Sequence, residues 1–338
     1  LSERLHALPE EKRTLEMFDE LYIAQANDAY WHGLFGGLYL PHLRRAVFGA
    51  IVKLESLLDK VLPRSACICI DADSDGHDEV FLHNSMLQVI VKLDGSASIS
   101  ELDSYQLHHN FGDTLRRQLE HYFRKIESSQ ATQSHEGSGI VSAHDRVAFK
   151  HEITAKNLMA DSLAQTIFRD SLLLDDEEIV LAYELVETNA EGILFRTEFD
   201  GKAIQKRISL KANCLCVSYS FDSALQGNFL TRVALAMPSC DGYAGRYIQG
   251  EKILSGFGSG LELNDMNGLV LDDSVLGGYL VLNNNHPIQL RGMPYFTVSQ
   301  SEAGFEKIMQ AVMLTLQWPL SQNEMSVTLT INPGNAML

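Results

Sequence analysis

The stretch Gly192–Leu210, GILFRTEFDGKAIQKRISL, places two β-like runs on either side of Asp200-Gly201. Asp-Gly accepts the positive φ angles of a tight two-residue turn, so Glu198–Lys202 reads as a hairpin between strands over 192–199 and 203–210. The same texture, short β-like runs parted by Gly, Asn and Asp, extends outward from Ala66. Strands are expected near 66–71, 79–83, 86–93, 97–103, 178–187, 214–221 and 229–236, then near 261–264, 269–271, 279–282, 288–291, 294–299, 308–317 and 326–331. So many strands without interleaved helices argue for an antiparallel sandwich. Ile308–Trp318 is open to two readings, a strand buried on both faces or a helix. One helix is expected inside this half, Thr114–Ile126, with Leu115, Leu119, Tyr122 and Phe123 on one side. Ser128–Ser142 is polar and Gly/Ser-rich and reads as a surface loop.

Ahead of Ala66 the pattern is helical. Pro9 with Glu10 and Glu11 suits a helix start, and Leu15, Phe18, Leu21, Tyr22 and Ala26 follow helical spacing. Gly33, Gly36 and Gly37 interrupt it. Pro41 suits the first turn of a second helix, whose stripe Leu43, Val47, Ala50, Ile51, Leu54, Leu58 and Val61 ends at Pro63. The fold class is therefore α+β, mainly β. A helical segment over 1–64 precedes a large antiparallel β-sandwich over 65–338.

The chain is 338 residues long and 45% hydrophobic, enough for one large core or two ordinary ones. Its 44 Asp+Glu against 27 Lys+Arg repel nucleic acid and anionic lipid. No apolar run approaches the roughly 20 residues of a membrane helix, so no membrane partner is expected. The start lacks a basic region followed by an apolar core, so no secretory leader is expected. Cys67/Cys69 and Cys214/Cys216 share strand faces two apart, a spacing narrower than zinc sites prefer. Buried reduced thiols and a cytoplasmic location are the expectation.

The most concentrated chemistry lies at Ala24–Arg45, AQANDAYWHGLFGGLYLPHLRR. Tyr30 and Trp31 offer flat faces for the apolar side of a glucose ring. Asn27, Asp28 and His32 offer hydrogen bonds to its hydroxyls. The same residues also suit a helix end packed on a neighbour.

This stretch resembles the fifth conserved segment of family 57 glycoside hydrolases, in the 4-α-glucanotransferase and α-amylase branch. There the pattern runs Ala-Gln-Cys-Asn-Asp-x-Tyr-Trp-His-Gly, and Ala26 here stands in place of the Cys. DADSDGHDEVFLHN (71–84), SAHDRVAFKHE (142–152), RVALAMPSCDGYAGRY (232–247) and TVSQSEAGFEKIMQAVMLTLQWP (297–319) resemble the C-terminal β-domain of the same branch. The resemblance implies a galactose-mutarotase-like sandwich and an α-1,4-glucan or maltooligosaccharide substrate. It implies that Asp28 and Trp31 line the donor end of the cleft, on a helical segment packed against a catalytic barrel. In the family the two catalytic carboxyls lie on that barrel, ahead of this segment. The earlier signatures, His-Gln-Pro and Gly-Asn-x-Glu, do not occur here; Gly227-Asn228 is followed by Phe229-Leu230. The chain, which opens on Leu1, is therefore expected to be the catalytically silent later part of a longer enzyme, without a required cofactor. The rival readings are a carbohydrate-binding module with Tyr243 and Tyr247 as its platform, or a mutarotase-type enzyme with a His and a Glu facing each other.

Asp71, Asp73, Asp75 and Glu79 recur around Gly76 and suit a hard cation such as a structural Ca²⁺, although Leu82 stands where an EF-hand loop needs Glu. A solvated acidic turn is the plainer reading. Asp241, Arg246 and Tyr247 suit a cleft-reaching loop or an Arg–Asp packing pair. Ser299–Glu302 suits a sugar contact or a capped turn. His108, His109 and the pair His144-Asp145 lack an attached nucleophile or metal spacing.

Overall fold

The computed structural model describes residues 1–33, 36–124, 126, 151–222, 226–239, 244–301 and 304–336. Helices α1 (Ser2–Ala7), α2 (Leu15–Ala24) and α3 (Pro41–Val61) come first. α2 starts where Thr14 accepts the Met17 N–H at 3.2 Å, an N-cap, so Glu10–Lys12 forms only a 3₁₀ turn rather than the expected helix start. α3 has Pro41 in its first turn, as its missing N–H allows. Leu5, Leu8, Met17, Leu21, Leu54 and Leu58 form a small core among the three helices.

From Cys67 onward the described residues form eighteen strands, all pairings antiparallel. Asp200 and Gly201 take φ of +51° and +69°, and Lys202–Lys211 pairs back on Gly192–Phe199 from Lys202↔Phe199. One layer runs 184–189, 192–199, 202–211, 214–221, 324–333 in spatial order. The other runs 67–70, 79–83, 87–92, 99–104, 167–174, 228–235, 304–319. The strand Gly278–Ser301 serves both layers. Its first part pairs with Glu324–Pro333 and its later part with Gly304–Pro319. The crossing falls between Asn284 and Gln289, around Pro287, which has no N–H to offer a ladder. Leu261–Asp273 crosses beside it, with register shifts between Leu263 and Gly268. Strands that bend from one sheet into the other close the corners of a sandwich. The expected runs 261–264 and 269–271, and the three between 279 and 299, are thus parts of two continuous strands.

The space between the layers is filled from both: Val89, Ile99, Phe229 and Leu314 meet Ile193, Ile208, Val217 and Leu329. Phe229 and Trp318 are cross-strand partners with stacked rings 4.8 Å apart. Ile308–Trp318 is strand, which settles its two readings. One charged pair is sealed inside: Lys206 and Asp170, both fully buried, with Nζ 2.7 Å from Oδ2. A bulge opposite Arg232/Val233 leaves Phe168 at φ +59°, and its carbonyl accepts Lys206 Nζ at 2.6 Å.

Three expectations need correction. Thr114–Glu120 is not helical; the Arg117 N–H goes to Asp161 Oδ2 at 2.7 Å and Tyr295 Oη at 2.8 Å, and Leu119 is 78% exposed. Run 178–187 divides into Glu177–Val180 and Glu184–Asn189. Strands 167–174, 245–249 and 252–256 lie outside the expected runs, although tight turns at Asp175-Asp176 and Gly250-Glu251 bound them. No described helix is long and apolar enough to cross a membrane. The 128–142 segment lies outside the described residues.

Helices and sandwich are joined by a buried polar contact. Arg44 of α3, 4% exposed, donates to Asp113 Oδ1 (2.7 Å), Gln310 Oε1 (2.8 Å) and the Leu38 carbonyl (2.5 Å). Gln310 in turn donates to the Tyr39 carbonyl (3.0 Å) and Thr297 Oγ1 (2.8 Å).

Candidate functional site

The loop between α2 and α3 is held by its glycines. Gly37 sits at φ +49°, and a Cβ there would lie 2.1 Å from the Trp31 carbonyl oxygen. Only glycine permits that approach, which lets Leu38 N–H reach the same oxygen at 2.9 Å. Asn27–Ala29 forms a 3₁₀ turn, and Tyr30 Oη donates to the Ala24 carbonyl at 2.6 Å. Asn27 and Asp28 are exposed, as are Tyr30 (58%) and Trp31 (45%). These four share one short, anchored stretch of surface.

His32 behaves differently. Its ring turns inward against Tyr39 (centroids 5.0 Å, edge-on) and Tyr122 (5.3 Å), with Nε2 3.5 Å from Ser299 Oγ. Burial pushes its pKa below the usual histidine range, so the ring is neutral at pH 7. His32 braces the loop from beneath, whereas its four neighbours face solvent. Ser299 belongs to this brace; Glu302 lies outside the described residues.

Oxygens of Asp71, Asp73 and Glu79 lie within 4.8 Å of one another, and Asp75 is not part of that group. The cluster carries its own cation. Lys92, cross-strand partner of Glu79, pairs with Asp73 and lies 3.2 Å from Asp75 and 3.6 Å from Glu79. Its hydrogen bond to Asp73 holds the ammonium pKa well above the usual lysine range. Ala72 N–H satisfies Glu79 Oε2 at 2.8 Å.

The two regions meet at a cavity of about 610 Å³ between α3 and the sheet, lined by Tyr30 on one side and Asp73, Glu79 and Lys92 on another. Its floor is polar: Glu55, Gln88, Glu101 and Asn110. Gln88 Nε2 bridges Glu55 (2.8 Å) and Asp103 (3.0 Å), and burial pushes the carboxyls of Glu55, Glu101 and Asp103 up. Desolvation likewise pushes Asp113 up to about 6 despite Arg44. None of these was singled out from sequence. The available signal was Arg44 and Glu55, charged positions on the buried face of a helix whose stripe is otherwise apolar.

The rival site readings lose support. Tyr247 is fully buried and provides no platform, and Tyr243 lies outside the described residues. Arg246 pairs with Asp272, while Asp241 and His144-Asp145 also lie outside them. The Nε2 of His109 bonds the Ala236 carbonyl at 2.7 Å, and the charged group acting on it is Arg45. The thiols of Cys67, Cys69, Cys214 and Cys216 are free but not buried: Cys69 is exposed because its strand lies at a sheet edge.

Residues 71–331 match the family model for the C-terminal domain of alpha-amylase/4-alpha-glucanotransferase, and residues 1–58 match the model for its middle domain. The chain belongs to this family. It is 29% identical over 309 residues to an alpha-amylase of Pyrococcus abyssi and 30% identical over 315 residues to a 4-alpha-glucanotransferase of Thermococcus kodakarensis. Each match covers 88% of this chain and 45% of the relative, so the chain spans about half the length of the curated relatives it matches. Among solved structures it resembles the 4-alpha-glucanotransferase of Thermococcus litoralis, with TM-score 0.68 and 22% identity over 97% of this chain and 48% of that one. A Salmonella typhimurium protein described as a candidate mutarotase shares the fold alone, with TM-score 0.50 and 8% identity over 79% of this chain and 94% of that one.

Proposed function

We propose that this chain is the non-catalytic middle and C-terminal portion of a retaining, family-57-type enzyme acting on α-1,4-glucans. Its part is to supply one wall of the glucan cleft from Asn27, Asp28, Tyr30 and Trp31. The supporting observation is the exposed, glycine-anchored stretch itself: two aromatic faces beside two polar side chains, braced by His32. Aromatic faces bind the apolar side of a sugar ring, and fixed polar groups orient its hydroxyls. A retaining glycosidase needs two carboxyl groups roughly 5 Å apart, and in this reading a barrel provides them. The barrel docks on the outward side of α2, where Leu15 (83%), Tyr22 (63%) and Ile23 (45%) are exposed.

The chain has two tryptophans, and Trp318 is 1% exposed, so glucan-induced change in tryptophan fluorescence reports Trp31. Maltopentaose is expected to alter that fluorescence, to lose the effect in Trp31→Phe, and to remain unprocessed after long incubation. A response that survives Trp31→Phe moves the binding site elsewhere. New maltosaccharides that persist in an Asp28→Asn control mean that this chain holds its own catalytic carboxyls.

A further inference from the structure

The segment Thr114–Phe123 joins the sandwich to the loop that carries Trp31. Its first part, Thr114–Glu120, runs without helix or strand and is fixed at Arg117. The Arg117 carbonyl accepts the Asp161 N–H at 3.0 Å, its guanidinium donates to Asp161, and the guanidinium carbon lies 5.3 Å from the centre of the Tyr295 ring. The end of the segment is fixed by packing, with Tyr122 and Phe123 buried among Ile153, Leu158, Val298 and Phe305. Tyr122 Oη donates to the Val298 carbonyl at 2.9 Å, and its ring stacks on Phe305 with centroids 5.9 Å apart. Tyr295 and Val298 belong to the strand Gly278–Ser301, so both ends of the segment are tied to one strand of the sandwich.

Glu120 stands between those two anchors. It accepts the hydroxyl of Tyr39, a residue only 5% exposed. The Tyr39 hydroxyl also meets that of Tyr122. His32 is seated against the Tyr39 and Tyr122 rings, and Glu120 is the acid whose charge acts on it. Trp31 is the next residue along the chain. The contacts therefore run unbroken from the sandwich through Glu120, Tyr39 and His32 to the exposed indole.

An aromatic face binds a glucosyl ring well only when the two lie flat against each other, so the tilt of the indole matters as much as its presence. A buried hydroxyl that loses its acceptor turns to find another. Without Glu120 the Tyr39 ring is released on one side, and with it the surface that seats His32.

We propose that Glu120 is a positioning residue of the glucan wall: acting through Tyr39 and His32, it sets the tilt at which Trp31 meets a glucosyl ring. This rests on the reading of Asn27–Trp31 as that wall.

The test compares Glu120→Ala, Glu120→Gln, Tyr39→Phe and the double variant Tyr39→Phe/Glu120→Ala in the full chain. Three quantities are read: maltopentaose affinity from tryptophan fluorescence, tryptophan anisotropy without ligand, and the melting temperature. Trp318 is sealed in the core, so changes in the first two report Trp31. Glu120→Ala is expected to weaken binding about fivefold, the size of one well-aligned ring contact. It is also expected to lower the anisotropy, because the indole gains freedom on the nanosecond scale. The melting temperature is expected to stay within about 2 °C, since Glu120 is partly exposed. Glu120→Gln keeps an oxygen that accepts from Tyr39 and is expected to restore the anisotropy, and the affinity to within about twofold. Tyr39→Phe is expected to match Glu120→Ala, and the double variant to lose nothing more. Unchanged affinity and anisotropy in Glu120→Ala overturn the proposal. So does a loss that recurs in full on top of Tyr39→Phe, which would mean that Glu120 touches the sugar itself. If wild type does not respond to maltopentaose, the wall reading falls, and the anisotropy alone decides whether Glu120 holds Trp31.

Discussion

The sealed Lys206–Asp170 pair is the sharpest test of how the sandwich is held. Asp170 accepts from Lys206 Nζ (2.7 Å), Thr231 Oγ1 (2.6 Å), Tyr219 Oη (2.9 Å) and Tyr183 Oη (3.2 Å). Among the described residues Lys206 has only that carboxylate and the Phe168 carbonyl as hydrogen-bond partners, with the Tyr183 and Tyr219 rings 5.6 and 5.7 Å from its ammonium. Burial pushes the Lys206 pKa down against the pull of Asp170. Lys206→Met keeps much of the packing and strands the carboxylate. Breaking a buried pair in this way costs about 3–5 kcal/mol. A stranded carboxyl can instead take a proton, which at pH 7 costs about 4 kcal/mol for an ordinary pKa near 3.9. The two routes agree on about 4 kcal/mol at pH 7. The second caps the loss at about 1.5 kcal/mol at pH 5, where protonation is easier. Urea unfolding followed by Trp318, whose ring centroid lies 5.7 Å from that of Tyr219, measures both. In the double variant Lys206→Met/Asp170→Asn the amide oxygen still accepts from Thr231 and Tyr219, so its loss is expected to fall at least about 2 kcal/mol short of the sum of the singles. A Lys206→Met loss below about 1 kcal/mol at pH 7, or one that does not shrink towards pH 5, refutes this reasoning.

Three further outcomes are expected. Gly37→Ala forces a Cβ onto the Trp31 carbonyl at positive φ; it should cost about 1–3 kcal/mol and abolish the maltopentaose fluorescence response, and an unchanged response would show that the loop geometry does not matter. His109, whose pKa burial lowers to about 4, is neutral in the fold while the unfolded chain protonates near 6.5. The depressed value means stability is present above pH 6.5 and lost as pH falls towards 4, so His109→Gln should gain about 3 kcal/mol on wild type between those limits, read from paired urea curves. Parallel curves would mean that His109 is not buried neutral. Lys92→Gln removes the cation from the Asp71/Asp73/Glu79 cluster; its melting temperature should rise with millimolar Ca²⁺ while wild type stays flat, and a wild-type rise would mean that metal displaces the lysine.

What the sequence by itself determined was everything that depends on a few neighbouring residues. Asp200-Gly201 set a turn because few other dipeptides take two positive φ angles cheaply. Pro41 and the stripe behind it set α3, and the strands from 192 to 221 followed from their alternation and turns. The family motif marked the exposed stretch at Asn27–Trp31, and Gly36 and Gly37 marked the backbone strain that holds it. Partners distant along the chain decided the rest. Thr114–Glu120 has helical periodicity, but its Arg117 N–H is claimed by Asp161 and Tyr295, 44 and 178 residues away. Gly278–Ser301 reads as three strands because its internal breaks look like turns, yet ladders on both sheets carry it through. His32 resembles its neighbours in sequence and turns inward because Tyr39, Tyr122 and Ser299 wait beneath it. Lys206 looks like a surface residue of a polar strand, and only the bulge at Phe168 and the carboxylate of Asp170 give its charge a place in the core. Local pattern encodes φ, ψ and the alternation of faces. Which polar group meets which across the sandwich depends on strand pairing between distant segments, and no window of sequence contains it.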